Sequence, residues 1–172
     1  MSGETGLQRS ATIAVLVENE AGVLARVIGL FSGRGYNIDS LTVAPIDEDR
    51  GRSRITVVTR GTEQVIEQIK AQLNRIVPVH RVADLTAEGP HVARELALIK
   101  VVARGEPRGQ ALQIADAFRA KIVDTTIESF VFELTGSTEK IDAFLDLMRP
   151  LGLAEISRSG VAAITRGTKT II

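Results

Sequence analysis

The chain has no cysteine among its 172 residues, which excludes disulfides, thiol catalysis and thiolate metal sites together. Its two histidines, His80 and His91, are too few and too separated for a histidine metal cage. No sign of charge prevails: 21 basic residues balance 21 acidic ones, and no run of five like charges occurs. The concentrated Lys and Arg that neutralise nucleic-acid phosphates are therefore missing. No apolar run approaches the roughly 18 to 20 residues of a membrane helix, and residues 1–10 lack the apolar stretch of a secretory signal. The expectation is a cytoplasmic protein that binds neither nucleic acid nor membrane. Aromatic residues are also scarce, 3% against 44% hydrophobic overall. The core must come from Val, Ile, Leu and Ala, which suits layered α/β or α+β packing.

Motifs of catalysis are absent too. There is no Gly-x-Ser-x-Gly, no Walker loop and no Gly-x-Gly-x-x-Gly after a strand. Asp47-Glu48-Asp49 reads as a solvated hairpin tip rather than a metal site, and Arg50, Arg52 and Arg54 as the polar face of a strand. A self-sufficient enzyme is not expected.

What is present is order. Residues 12–18, rich in β-branched side chains, fit a strand buried on both faces. From Gly22 on, Leu24, Val27, Ile28 and Phe31 recur at helical spacing. Residues 40–45 and 54–59 read as a hairpin, and Thr62 as the cap of a helix carrying Val65, Ile66, Ile69, Leu73 and Ile76. Residues 79–85 supply a fourth strand. This is β-α-β-β-α-β, the ferredoxin-like order, in which two helices cover one sheet face and the other is left open. After a polar Gly-Pro link the order recurs, with a helix face at Ala111, Ile114, Ala115 and Phe118. A second helix face lies at Ile141, Phe144, Leu145 and Met148, and closing strands are expected over 154–157 and 161–165. The junctions 59–63 and 134–139 look alike. The fold class is therefore α+β, two consecutive ferredoxin-like βαββαβ domains. Their expected bounds are a flexible arm over 1–10, a first domain over 11–85, a linker over 86–92 and a second domain over 93–172.

Residues 19–38 carry the most information. They read as a strand ending in a glycine turn, a helix start, and a second strand returning toward that turn, together a place for a small anion. Gly22 lets backbone approach a ligand without a Cβ. The first-turn amides of residues 22–24 and the helix dipole favour a carboxylate. Asn19 and Asn37 can donate and accept, while Leu24 and Ile38 offer an aliphatic wall. Glycine at such a turn is also ordinary turn chemistry, and asparagine there an ordinary cap or Asx-turn. Residue types alone leave both readings open.

Residues 17–45, Val-Glu-Asn-Glu-Ala-Gly-Val-Leu-Ala-Arg-Val-Ile-Gly-Leu-Phe-Ser-Gly-Arg-Gly-Tyr-Asn-Ile-Asp-Ser-Leu-Thr-Val-Ala-Pro, resemble the regulatory small subunit of acetolactate synthase, and Arg158-Ser159-Gly160 with Arg166-Gly167 extends the match. The resemblance implies that the first domain is an ACT domain, an amino-acid sensor that pairs edge to edge as a homodimer. The effector site would lie between two chains, with Asn19, Ala21, Gly22, Val23 and Leu24 of one facing Asn37 and Ile38 of the other. It further implies a branched-chain amino acid such as valine as feedback effector. The implied partner is a large catalytic subunit that holds thiamine diphosphate, Mg²⁺ and FAD, none of them bound by this chain. Ala25 stands where some members carry serine, which removes a hydroxyl. The alternative, a free-standing amino-acid-responsive transcriptional regulator, meets no helix-turn-helix segment and no basic cluster.

Overall fold

In the computed structural model, which describes residues 6–172, the chain runs β1 (Arg9–Glu18), α1 (Val23–Arg34), β2 (Ser40–Asp47), β3 (Arg52–Gly61), α2 (Glu63–Asn74), β4 (Val79–Asp84), α3 (Leu85–Glu88), β5 (His91–Val102), α4 (Glu106–Phe118), β6 (Lys121–Thr125), β7 (Ser129–Gly136), α5 (Thr138–Gly152) and β8 (Leu153–Thr165). The strands form two four-stranded antiparallel sheets ordered β2-β3-β1-β4 and β6-β7-β5-β8, the two ferredoxin-like units expected. Contacts group the described residues up to Val92 with Val161–Ile172 as one compact unit and Ala93–Gly160 as the other.

Several details depart from expectation. Of the expected arm, residues 1–5 lie outside the described residues, and Arg9 and Ser10 already pair with Gly61 and Arg60 in β1. The linker begins as a helical turn, because Asp84 Oδ1 accepts from the backbone of Thr86 and Ala87 at 3.1 and 3.2 Å and so caps α3. The two closing strands are one, β8. Residues from Val161 on group with the first unit, not the second.

In the first unit, every residue of β1 from Ala11 to Val17 is buried. Alternate side chains divide between the faces. Ala11, Ile13, Val15 and Val17 join Ile55 and Val57 of β3, Val23, Val27 and Phe31 of α1, and Ile66, Ile69 and Leu73 of α2 in one core. Of the α1 stripe read above, Val27 and Phe31 are buried, Leu24 and Ile28 are half-buried, and Val23 joins the buried set. The other face, expected to be open, is covered. Ala14, Leu16, Thr56 and Ala83 there are buried, and so are Val161, Ala163 and Ile171 of the C-terminal segment. That segment is tied to the face through Ser40, Thr42 and Arg54.

The second unit concentrates the scarce aromatics. Phe118, Phe130, Phe132 and Phe144 pack with Ile99, Leu134, Ile141 and Met148, and the Phe132 and Phe144 rings meet edge to face at 5.9 Å. Pro150 sits inside the last turn of α5, which ends at Gly152.

The two units repeat in detail. Thr62 Oγ1 accepts from Val65 N at 3.3 Å and Ser137 Oγ from Lys140 N at 3.2 Å, each just after a glycine, Gly61 or Gly136. Opposite those glycines in register stand Arg9 and Glu95. Arg9 reaches fully buried Asp84 of β4 at 2.7 Å and Glu63 of α2 at 2.6 Å. Glu95, buried, receives Arg158 of β8 at 2.7 and 2.8 Å, and Arg158 also reaches Asp142 of α5. First strand, fourth strand and second helix are thus tied in both units: the two strands exchange signs, the helix contributes a carboxylate each time, and the arginine stands on the first strand in one unit and on the fourth in the other.

A Cβ on Gly61 would stand 2.8 Å from Val65 Cγ1, a stiff β-branched group, whereas on Gly136 it would meet Lys140 Cδ at 2.8 Å, which can swing away. Urea unfolding should therefore show Gly61→Ala destabilised by about 1–3 kcal/mol and Gly136→Ala by less than about 1 kcal/mol. Arg9→Met, which leaves buried Asp84 without its cation, should cost about 2–4 kcal/mol at neutral pH. The Arg9 guanidinium also holds the Glu63 carboxyl below its usual range. That contribution is present above the ordinary carboxylate pKa and is lost as pH falls through the lowered one. The gap between wild type and Arg9→Met should accordingly narrow on acidification.

Candidate functional site

The first half of the site is the turn between β1 and α1. It is anchored from both sides: Glu18 N donates to Pro78 O at 2.9 Å and Asn19 N to Gly51 O at 2.6 Å, while the Glu18 carboxylate meets His80 Nε2. His80 and Glu18 lie 62 positions apart in the chain. Gly22 adopts φ 87°, a left-handed conformation that side chains resist, and turns the chain directly into α1. No side chain caps this end and no acidic residue stands in the first turn. Val23 N donates to Glu20 O at 3.4 Å, and the remaining first-turn N–H groups and the positive dipole end are left for a ligand or solvent. Asn19, Ala21 and Gly22 are exposed and Leu24 is half-buried. Val23 points into the core, so its part in any site is limited to its backbone.

The second half begins where α1 ends. Gly35 closes the helix, Tyr36 N donates to Phe31 O at 2.9 Å, and the Tyr36 ring packs edge-on against Phe31. Asn37 is exposed. Its backbone oxygen accepts from Thr59 Oγ1, and its side-chain Nδ2 donates to Asp39 Oδ1 at 2.6 Å. Asp39 in turn pairs with Arg60 at 2.7 Å. Asp39 and Arg60 therefore orient Asn37, a role the sequence reading missed. The spacing of two along an extended segment, which puts Asn37 and Asp39 on one side, was the available signal.

The two halves are not together in one chain. Twelve residues of α1 separate them, about 18 Å at 1.5 Å per residue. Register agrees: Ser40 and Thr12 both face Val58, whereas Glu18 faces Arg52, so Asn37 and Asn19 lie at opposite ends of the sheet. The expectation of a second strand returning toward the glycine turn is corrected. A strand parallel to β1, with β3 between them, must start at β1's beginning. β2 is an outer strand of its sheet, and Val43 and Ile46 on it are exposed.

Other candidates resolve into structure. Arg50 N donates to Asp47 Oδ1 at 3.0 Å, which makes the acidic tip a turn. Among the described residues no three His, Asp or Glu gather as metal ligands, and no helix is long and apolar enough to cross a membrane. A depression of about 190 Å³ in the second unit is lined by Leu98, Lys100, Val131, Glu155 and Ser157. Lys100 and Glu155 pair across it at 2.8 Å, and the ammonium holds the Glu155 carboxyl below its usual range.

A family model described as an AHAS small subunit-like ACT domain matches residues 13–81, and one described as the small subunit of acetolactate synthase matches residues 94–167. A probable acetolactate synthase small subunit of Archaeoglobus fulgidus is 48% identical over 158 residues, covering 92% of this chain and 98% of that protein. The acetolactate synthase isozyme 3 small subunit of Escherichia coli is also 48% identical over 158 residues, covering 91% and 96%. The crystal structure of the acetolactate synthase small subunit from Thermotoga maritima superposes with a TM-score of 0.82 at 37% identity, over 94% of this chain and 99% of that one.

Gly22→Ala tests the turn itself. Space for the methyl exists, but the left-handed φ does not suit it, so stability to urea should fall by about 1–2 kcal/mol.

Proposed function

Because this chain belongs to the acetolactate synthase small-subunit family, whose members are regulatory partners of a large catalytic subunit, we propose that it activates that partner and makes it sensitive to feedback inhibition by valine or another branched-chain amino acid. The observation that carries this reading is the division of the site. Donors for a carboxylate stand at one end of α1 and an oriented asparagine at the other, each exposed and each incomplete.

A second copy supplies the missing half. α2 packs on β4, so α1 occupies the β2 side of the same face. Antiparallel pairing of β2 with its counterpart about a two-fold axis reverses one α1 against the other and brings the Gly22 end of each chain to the Asn37 end of its partner. The unpaired edge and exposed Val43 and Ile46 favour such pairing. In the resulting crevice the α1 amides meet the effector carboxylate, Asn37 orients its polar end, and Leu24 with Ile38 selects a branched aliphatic side chain. One methylene is worth about 1–3 kcal/mol in such a wall.

In this reading thiamine diphosphate, Mg²⁺ and FAD belong to the catalytic subunit, and the small subunit acts in the cytoplasm through binding alone. The effector can shift the enzyme only by its differential affinity for two states, commonly about 1–3 kcal/mol. Calorimetric titration with valine, leucine and isoleucine should show saturable binding at one ligand per crevice. Asn37→Ala should weaken it about tenfold or more, a loss of about 1.4 kcal/mol, and relieve inhibition of the reconstituted enzyme in parallel. Unchanged binding and inhibition in that variant would remove Asn37 from the site.

A further inference from the structure

We propose that Ser40 and Thr42, two hydroxyl side chains at the start of β2, form a clasp on the backbone of Val161 that carries the effector signal from the Asn37 end of the first unit into β8. This rests on the effector reading above and assigns the route by which that site acts.

Ser40 lies three residues after Asn37 and two after Ile38, with only a bend at Asp39 between them and the strand. Leu41 points to the helix side and packs on the core. Ser40 and Thr42, with the opposite parity, therefore point to the far face. There Val161 N donates to Ser40 Oγ at 2.7 Å and Thr42 Oγ1 donates to Val161 O at 3.2 Å. Both main-chain polar groups of one residue are thus engaged by side chains of one strand. Arg54, which faces Ala44 on the adjacent β3, extends the hold by donating to Ala163 O. Val161 and Ala163 are buried, at 6% and 5% exposure. A donor or acceptor pulled from its partner in such surroundings is costly to leave unmade, so the clasp favours two states, made or broken, over gradual loosening.

The clasped residue is also the place where β8 changes unit. Val161 begins the part of the chain grouped with the first unit, and Gly160, with φ 84°, ends the part grouped with the second. One strand, Leu153–Thr165, runs through that point without interruption. A change in the β2 start reaches Val161 through two hydrogen bonds and reaches residues 153–160 through the covalent strand. Coupling of this kind requires a contiguous physical element that both sites bias, and no other pair of hydroxyls in β2 is so placed.

The test uses the full-length protein reconstituted with its large catalytic subunit. Ser40→Ala combined with Thr42→Val removes both hydroxyls. The variant should bind L-valine with a Kd within about threefold of wild type and activate the large subunit normally in its absence. Residual activity at saturating valine should rise about fivefold or more. Thr42→Ser, which keeps the hydroxyl, should restore inhibition, whereas a purely structural role would be read in stability and not in this split. Independently of any variant, valine should change hydrogen exchange of the wild-type Val161 amide by about threefold or more. Full inhibition in the double variant, or a Val161 amide indifferent to bound valine, overturns the clasp. Loss of valine binding together with inhibition also overturns it, because the hydroxyls would then belong to the effector site itself. Failure of the effector reading looks different: wild type would bind no valine at all, and the clasp would fall with it.

Discussion

A central strand that is buried along its whole middle dictates the rest of the first unit. Residues Ala11–Val17 alternate between two faces, and each face must be removed from water or forfeit about 1.5–3 kcal/mol for every large aliphatic side chain left exposed. The helices α1 and α2 cover one side. The other is covered not by anything nearby in sequence but by the last dozen residues of the chain, whose Val161, Ala163 and Ile171 are buried in turn. β1 therefore depends on residues 161–172, which continue the strand β8 that begins among the residues of the second unit.

The same topology divides the site. In a ferredoxin-like unit the first crossover helix carries the chain back to the beginning of the first strand, so groups before and after it lie a helix length apart. Asn19 to Leu24 and Asn37 to Ile38 can serve one ligand only if two molecules share it. Under the proposed function self-association is then part of sensing, and each half alone is unfinished: the Gly22 end lacks a capping side chain, and Asn37 is oriented by Asp39 and Arg60 yet remains at the surface.

The paired units also illustrate how like folds in one chain can be kept distinct. Arg9 bonded to buried Asp84 and Glu95 bonded to Arg158 occupy matching positions with opposite sign. Exchange of fourth strands between the units would place Arg9 near Arg158 and Glu95 near Asp84, an arrangement penalised by like-charge repulsion and burial.

Element order, helix stripes and caps were legible because each is a local matter. Periodicity located α2 and α5 to their buried residues, and Thr62 declared itself as a cap by residue type and place. The resemblance of residues 17–45 to a known family identified that family. Contacts between distant positions were not legible: His80 with Glu18, Arg54 with Ala163, and the clasp of Ser40 and Thr42 on Val161 join residues separated by 62 to 121 positions. Local sequence determines backbone preference and which face is apolar, since those depend on neighbours within a few residues. Which distant segment covers a face, and whether two halves of a site meet within one molecule, depends on strand register and helix length acting together, and only the folded chain decides that.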